Sequence, residues 1–191
     1  MGTKLDVKLF QEGVFVLFEY VASDYFSLRD DGTDRWELIK GVFKMAPAPK
    51  IKHQRVSVEL STDINLFCRK KNYYVLEAPC DLVLGENVVQ PDIMVICDAV
   101  KITELRCVGI PDLIVEVLSV DRKRDTVEKF KLYEEYGLRE YWMVDPDEKW
   151  LEQWVLAKGA FELVNKFENR ETVGSHTFSE LRVDLSVVFG R

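Results

Sequence analysis

Histidine and paired cysteines are scarce in this chain. Its 191 residues include two histidines, His53 and His176, and four cysteines, none in a CxxC spacing. A structural zinc site needs closely spaced nitrogen and sulfur ligands, so that class is set aside. The thiols of Cys68, Cys80, Cys97 and Cys107 read as reduced and mostly buried, as in a cytoplasmic protein. Long apolar runs are also missing. Val14 to Phe18 is ended by Glu19, far short of the roughly 18–20 residues a membrane helix needs. No signal peptide, internal repeat or low-complexity linker is visible. Basic residues are in deficit: 26 Lys and Arg against 33 Asp and Glu leave a net charge of −7. That balance argues against broad non-specific binding to nucleic acid and leaves room for a local basic groove. Nor is there a helix-turn-helix with a basic second helix, so no target sequence can be named.

What is present fits one domain over 1–191. An appended element covers 1–34, a core 35–156, and a C-terminal strand and tail 157–191. The segment through Leu28 reads as helix or a short appended piece, and Asp30-Asp31-Gly32 as a turn. Trp36–Ile39 and Val42–Met45 read as a strand pair around Gly41, followed by a loop at Pro47 and Pro49. A helix is predicted over 52–71, with Val56, Leu60, Ile64 and Phe67 on one stripe and His53 just before it. Strands are predicted over 73–76, 81–84, 88–95 and 113–118. A helix over 126–136 is closed by Gly137, and a strand over 140–144 by Asp145-Pro146. Trp150–Leu156 and Phe161–Phe167 form a hairpin around Lys158-Gly159, and a short ordered tail covers 178–189. This order predicts an α/β fold with a mixed central sheet flanked by helices and an extra β-hairpin.

Two short apolar runs carry acids where a strand should be buried. They are Val88-Val89-Gln90-Pro91-Asp92-Ile93-Met94-Val95 and Pro111-Asp112-Leu113-Ile114-Val115-Glu116-Val117-Leu118. Strand side chains alternate faces, so Glu116 lies with Ile114 and Leu118, and Asp92 with Gln90 and Met94. A buried, unpaired carboxylate is costly, so something positive should sit between the acids if the strands are neighbours. Mg²⁺ or Mn²⁺ suits an all-oxygen site that keeps several waters. A lone buried acid is more often half of an ion pair; two of them, with Lys129 downstream, make a metal site an equal alternative. Lys129 by itself reads as a solvated helix lysine or an i,i+4 partner of Asp125, and Asp125-Thr126-Val127-Glu128 as a helix N-cap. His53 is a base, a phosphate contact or a hydrogen-bonded core histidine. Glu37 is an accessory ligand or an exposed strand residue. Basic clusters occur at Lys50, Lys52, Arg55; at Arg69, Lys70, Lys71; and at Arg122, Lys123, Arg124. Solvated faces explain most such runs, but the third follows the Glu116 strand and could contact phosphates.

In order along the chain, Trp36-Glu37-Leu38-Ile39-Lys40-Gly41, His53-Gln54-Arg55 and Gln90-Pro91-Asp92-Ile93-Met94-Val95 are followed by Pro111 to Ser119, Arg124-Asp125, Glu128-Lys129, Leu132-Tyr133, Gly137 and Glu140 to Pro146. This series closely resembles the Uma-two family, grouped with bacterial restriction endonucleases in the PD-(D/E)XK nuclease superfamily. The resemblance spans roughly residues 35–155. It implies a restriction-endonuclease-like fold, a metal-dependent phosphodiesterase site and a DNA substrate. Asp92 would be the PD acid and Glu116 the (D/E)XK acid, with the Val117 carbonyl a further ligand of Mg²⁺ or Mn²⁺. The lysine position of the motif holds Leu118, and Lys129 occupies the place to which that lysine can migrate in such families. Glu37 and His53 would line the same cleft. A homodimer is expected because double-strand cutters often need two sites. The rival readings are a nucleic-acid-binding module without catalysis, a protein-interaction domain, and a nuclease for RNA or branched DNA.

Overall fold

The computed structural model describes residues 19–28, 35–46, 48–119 and 124–190. Val14–Phe18 and the turn expected at Asp30-Asp31-Gly32 lie outside them. Helix α1 (Ala22–Leu28) precedes strands β1 (Arg35–Ile39) and β2 (Val42–Ala46), and α2 (Ile51–Lys71) follows. Next come β3 (Tyr74–Glu77), β4 (Leu82–Leu84), β5 (Asn87–Val89), β6 (Ile93–Ile96), β7 (Cys107–Val108) and β8 (Leu113–Val117). A π-helical turn over Arg124–Lys129 runs into α3 (Phe130–Glu135). The rest is β9 (Glu140–Asp145), β10 (Trp150–Ala157), β11 (Ala160–Glu168), β12 (Thr172–Gly174), β13 (Arg182–Asp184) and α4 (Leu185–Phe189).

The central sheet has the order β11-β10-β9-β8-β6-β3; β8 and β9 are parallel and the other pairs antiparallel. One face packs against α2, β12, β13 and α4, burying Val56, Leu60 and Ile64 with Val115, Val117 and Trp142. The other packs against α3 and a second sheet of order β2-β1-β5-β4-β7. There Ile114, Leu118 and Met143 meet Leu132, Tyr133, Leu82 and Val89. Helix α1 covers the far side of the second sheet through Tyr25, Leu38 and Val88. The expected mixed, helix-flanked α/β architecture is therefore present, and so is the additional hairpin.

Local chemistry accounts for several boundaries. The α2 stripe at steps of three and four faces the sheet, and Asn72 ends the helix at φ 58, a left-handed conformation asparagine tolerates. Arg69, Lys70 and Lys71 in the last turn complement its carbonyl end. Both tight hairpins turn on Lys-Gly pairs with positive φ: 48 and 73 at Lys40-Gly41, 51 and 87 at Lys158-Gly159. Two residues of positive φ match the twist of the flanking strands, and glycine takes the second place without a Cβ penalty.

Two expectations need correction. The run 88–95 is two strands in different sheets: β5 ends at Val89, β6 begins at Ile93, and Gln90-Pro91-Asp92 crosses between them. Pro91 has no N–H to give a ladder, so pairing breaks there. The helix expected from Thr126 opens at Arg124, so Asp125 lies inside its first turn rather than before it.

Candidate active site

Strands β6 and β8 are antiparallel neighbours with Ile93 opposite Val115. Antiparallel register then sets Asp92, just before β6, beside Glu116. The Val117 N–H donates to Asp92 Oδ2 at 2.9 Å, tying the crossing segment to β8. His53 Nε2 lies 3.1 Å from the same Oδ2. His53 is buried at the start of α2, one turn before Val56, so the stripe that docks the helix also delivers the imidazole. Burial alone would raise the Asp92 carboxyl. The His53 hydrogen bond and charge, the Lys129 ammonium and the Val117 N–H outweigh it and hold Asp92 below the usual carboxylate range. Among the described residues Oδ1 of Asp92 takes no hydrogen bond, and its side chain keeps 12% exposure.

Glu116 is organised from α3 and the turn before it. Lys129 Nζ donates to Glu116 Oε1 at 3.0 Å, and Tyr133 OH donates to the same oxygen at 2.8 Å. Lys129 and Tyr133 are four residues apart, one helical turn, so a single face of the helix holds one carboxylate. Lys129 Nζ also lies 2.8 Å from Glu37 Oε1, which accepts from the Gln90 N–H at 2.8 Å. Lys129 is therefore no solvated helix lysine: it is 4% exposed and ion-paired to both glutamates. Glu37 is equally no surface residue but a buried member of β1. The Tyr133 phenol is pushed well up by burial first and by the charges of Glu116 and Glu37 next, so it stays a neutral donor.

Leu118 occupies a place that suits a hydrocarbon. It packs with Leu132, Tyr133 and Ile114 in the core between the central sheet and α3. A lysine there would bury its ammonium among aliphatic groups. The cation that reaches Glu116 comes instead from the helix packed on that face.

The cluster thus joins Asp92, Glu116, Lys129, Glu37 and His53, with the Val117 backbone between the two acids. Arg122 and Lys123 lie outside the described residues, as do the side chains of Arg124 and Asp125. Among the described residues no three His, Cys, Asp or Glu side chains gather into a metal cage. The donors at hand are carboxylate oxygens, including Oδ1 of Asp92, and a backbone carbonyl. That hard, incomplete, all-oxygen set could hold Mg²⁺ or Mn²⁺ with waters completing the shell, and is a poor match for zinc.

The family model described as "Putative restriction endonuclease", Uma2, matches residues 22–187. The chain belongs to this family. It is 28% identical over 130 residues to the uncharacterized protein sll1609 of Synechocystis, across 65% of this chain and 73% of that protein. Its fold is similar to a crystal structure from Anabaena variabilis described as "a putative nuclease belonging to DUF820". The TM-score is 0.73 at 21% identity, covering 89% of this chain and 97% of that one. In this Uma2 chain two residues of the cluster carry only weak sequence signals. Tyr133 reads as an apolar helix position, although its spacing of four from Lys129 marks a shared face. Gln90 reads as a strand residue, although it stands next to the proline that ends the ladder.

Among the described residues no helix is long and apolar enough to cross a membrane.

Proposed function

We propose that this protein is a cytoplasmic, metal-dependent endonuclease that hydrolyses phosphodiester bonds in DNA. Asp92, Glu116 and the Val117 carbonyl would hold Mg²⁺ or Mn²⁺. The observation that carries the reading is the Lys129 ammonium against Glu116, supplied from the end of the turn that runs into α3, where the position just after β8 holds Leu118. A bound divalent ion supplies Lewis acidity toward the phosphate and lowers the pKa of a bound water.

The residues of the chain do the rest. Asp92, kept ionised by His53 and Lys129, presents Oδ1 as a charged acceptor at neutral pH. Tyr133 fixes the rotation of Glu116 by holding Oε1. Glu37 anchors the Lys129 amine, so the ammonium is placed before substrate arrives and can offset charge growing on a phosphate oxygen. Arg122, Lys123 and Arg124 follow β8 in the chain and would contact flanking phosphates. A homodimer would bring two such sites to the two strands of a duplex.

The test is nicking of supercoiled DNA in Mg²⁺ or Mn²⁺. Cleavage should vanish with a chelator and in both Asp92→Ala and Glu116→Ala, with the fold intact by circular dichroism. Undiminished cutting by either variant rejects the assignment. DNA binding without turnover in any divalent ion would support the non-catalytic reading instead.

A further inference from the structure

A cavity of about 150 Å³ opens between the start of α2, the turn that joins β9 to β10, and α4. Its rim carries Lys52, Arg55 and Lys149, and its floor is apolar, formed by Val56, Pro146 and Phe189. Three cations around one hollow stand out on a chain of net charge −7. Lys52 has an exposed partner, Asp147, at 3.1 Å. Among the described residues neither the Arg55 guanidinium nor the Lys149 ammonium meets a carboxylate or any other hydrogen-bond acceptor. Cations that pair with neighbours are spent on structure. These two are not, and they share one concavity with a floor that lowers the local dielectric and strengthens their field.

The place of the cavity gives it meaning. Lys52, Arg55 and Val56 come from the same two turns of α2 as His53, which bonds Asp92. Pro146 and Lys149 follow the carboxyl end of β9, where Val144 lies opposite Val117. The hollow and the acid cluster therefore share one end of the parallel β8–β9 pair. The turn is held rigid: Asp145 Oδ1 accepts from the N–H groups of Asp147 and Glu148 at 2.8 and 3.0 Å, and the Lys149 N–H donates to the Asp145 carbonyl at 2.9 Å. Lys149 is thus presented from a fixed backbone.

We infer that this cavity is a phosphate subsite for the nucleic-acid strand, in which Arg55 and Lys149 clamp a backbone phosphate remote from the bond to be cut. This rests on the nuclease reading and adds a second anchor, which sets how the strand enters the acid cluster. Phosphate contacts of this kind orient a strand without reading its sequence.

The experiment is fluorescence anisotropy of a labelled duplex with the full-length protein, in Ca²⁺ to restrain turnover, over a range of salt. Each phosphate contact contributes about 0.9 to the slope of log affinity against log salt. The double variant Arg55→Gln/Lys149→Gln should flatten that slope by about 1 and weaken binding roughly five- to tenfold near physiological salt, for every duplex sequence tried. Arg55→Lys should keep the slope. Lys158→Gln, at the far end of β10, makes a charge change of the same kind and should leave the slope unchanged. Arg55 and Lys158 are exposed and Lys149 is partly so, and thermal melts verify that the variants are folded. An unchanged slope and affinity in the double variant, with the wild type still binding DNA, overturns the subsite and leaves the nuclease reading standing. A wild type that ignores DNA even at low salt overturns both. Calorimetry with inorganic phosphate is the second arm: tight binding of the free ion, lost in the double variant, without any effect on DNA affinity would assign the cavity to a small anion and overturn the strand assignment.

Discussion

On either side of β8, at opposite ends of it, the central sheet holds two carboxylates, and the two are treated in opposite ways. Glu140, at the start of β9, is fully enclosed. Its Oε1 accepts from Trp142 Nε1 and Gln153 Nε2 at 2.7 Å and from the His176 N–H at 3.0 Å. Its Oε2 accepts from Ser175 Oγ at 2.7 Å and the Thr177 N–H at 2.6 Å. Across β8, at the other end, Asp92 receives two partners on one oxygen and none, among the described residues, on the other. Both acids are held below the ordinary range against the upward push of burial, by different means. For Glu140 the counterweight is a shell of neutral donors; for Asp92 it is the His53 hydrogen bond first, then the charges of His53 and Lys129. A carboxylate wrapped in five donors ties the C-terminal segment to the sheet and has nothing left to offer a ligand. One with an open oxygen beside a cation is equipped for chemistry.

This contrast can be broken in several ways. The largest effect should come from Asp92→Ala and Glu116→Ala, which should cut DNA cleavage by about a thousandfold or more, since each removes a proposed metal ligand. Plasmid nicking under single-turnover conditions reads the loss. Addition of Mn²⁺ should raise the melting temperature of the wild type and not of these variants. Glu140→Ala should do the reverse. It strands five donors and should cost roughly 3–5 kcal/mol in urea unfolding, while the activity of the folded fraction stays the same. Such a loss is a large part of the about 5–15 kcal/mol that stabilises a typical domain.

Lys129→Met should sit between these extremes. It leaves Glu37 and Glu116 buried without their ammonium, at a cost of about 3 kcal/mol or more, and should also abolish cleavage. Adding Glu116→Gln to that variant should recover part of the stability, because one fewer charged carboxylate is then buried without its ammonium. Tyr133→Phe deletes one hydrogen bond to Glu116 and should cost about 1–2 kcal/mol, lowering kcat more than it raises KM.

The smallest effect is on acid stability. Asp92 and Glu140 have folded pKa values below their ordinary values of 3.8 and 4.5. Their contribution is complete above those ordinary values and is lost as pH falls through the lowered ones. Unfolding free energy should therefore decline below about pH 4.5, and Glu140→Gln should decline less steeply there.

Much of this was legible from residue order. The alternation in 113–118 puts Glu116 on the face of Ile114 and Leu118, and the structure buries Ile114 and Leu118 together on that side. The stripe of α2, both Lys-Gly hairpins and the helix-flanked mixed sheet followed from periodicity and turn chemistry. The second sheet did not, because the apolar run 88–95 carries no mark of a change of sheet except Pro91. The grip of Lys129 on Glu116 is invisible to local rules, which see only an i,i+4 neighbour in Asp125. The Glu140 shell was missed for a related reason: its donors lie up to 37 residues further along the chain, and none of them forms a motif.

Leu118 and Lys129 divide between two elements what a single strand residue could have done. The strand keeps an oily plug that seals the sheet against α3, and the amine arrives only when that helix seats. Before then the sheet presents acids across its strands with no such counterion between them, and their mutual repulsion resists closure. Seating the helix removes the repulsion and completes the acid–lysine cluster in one event.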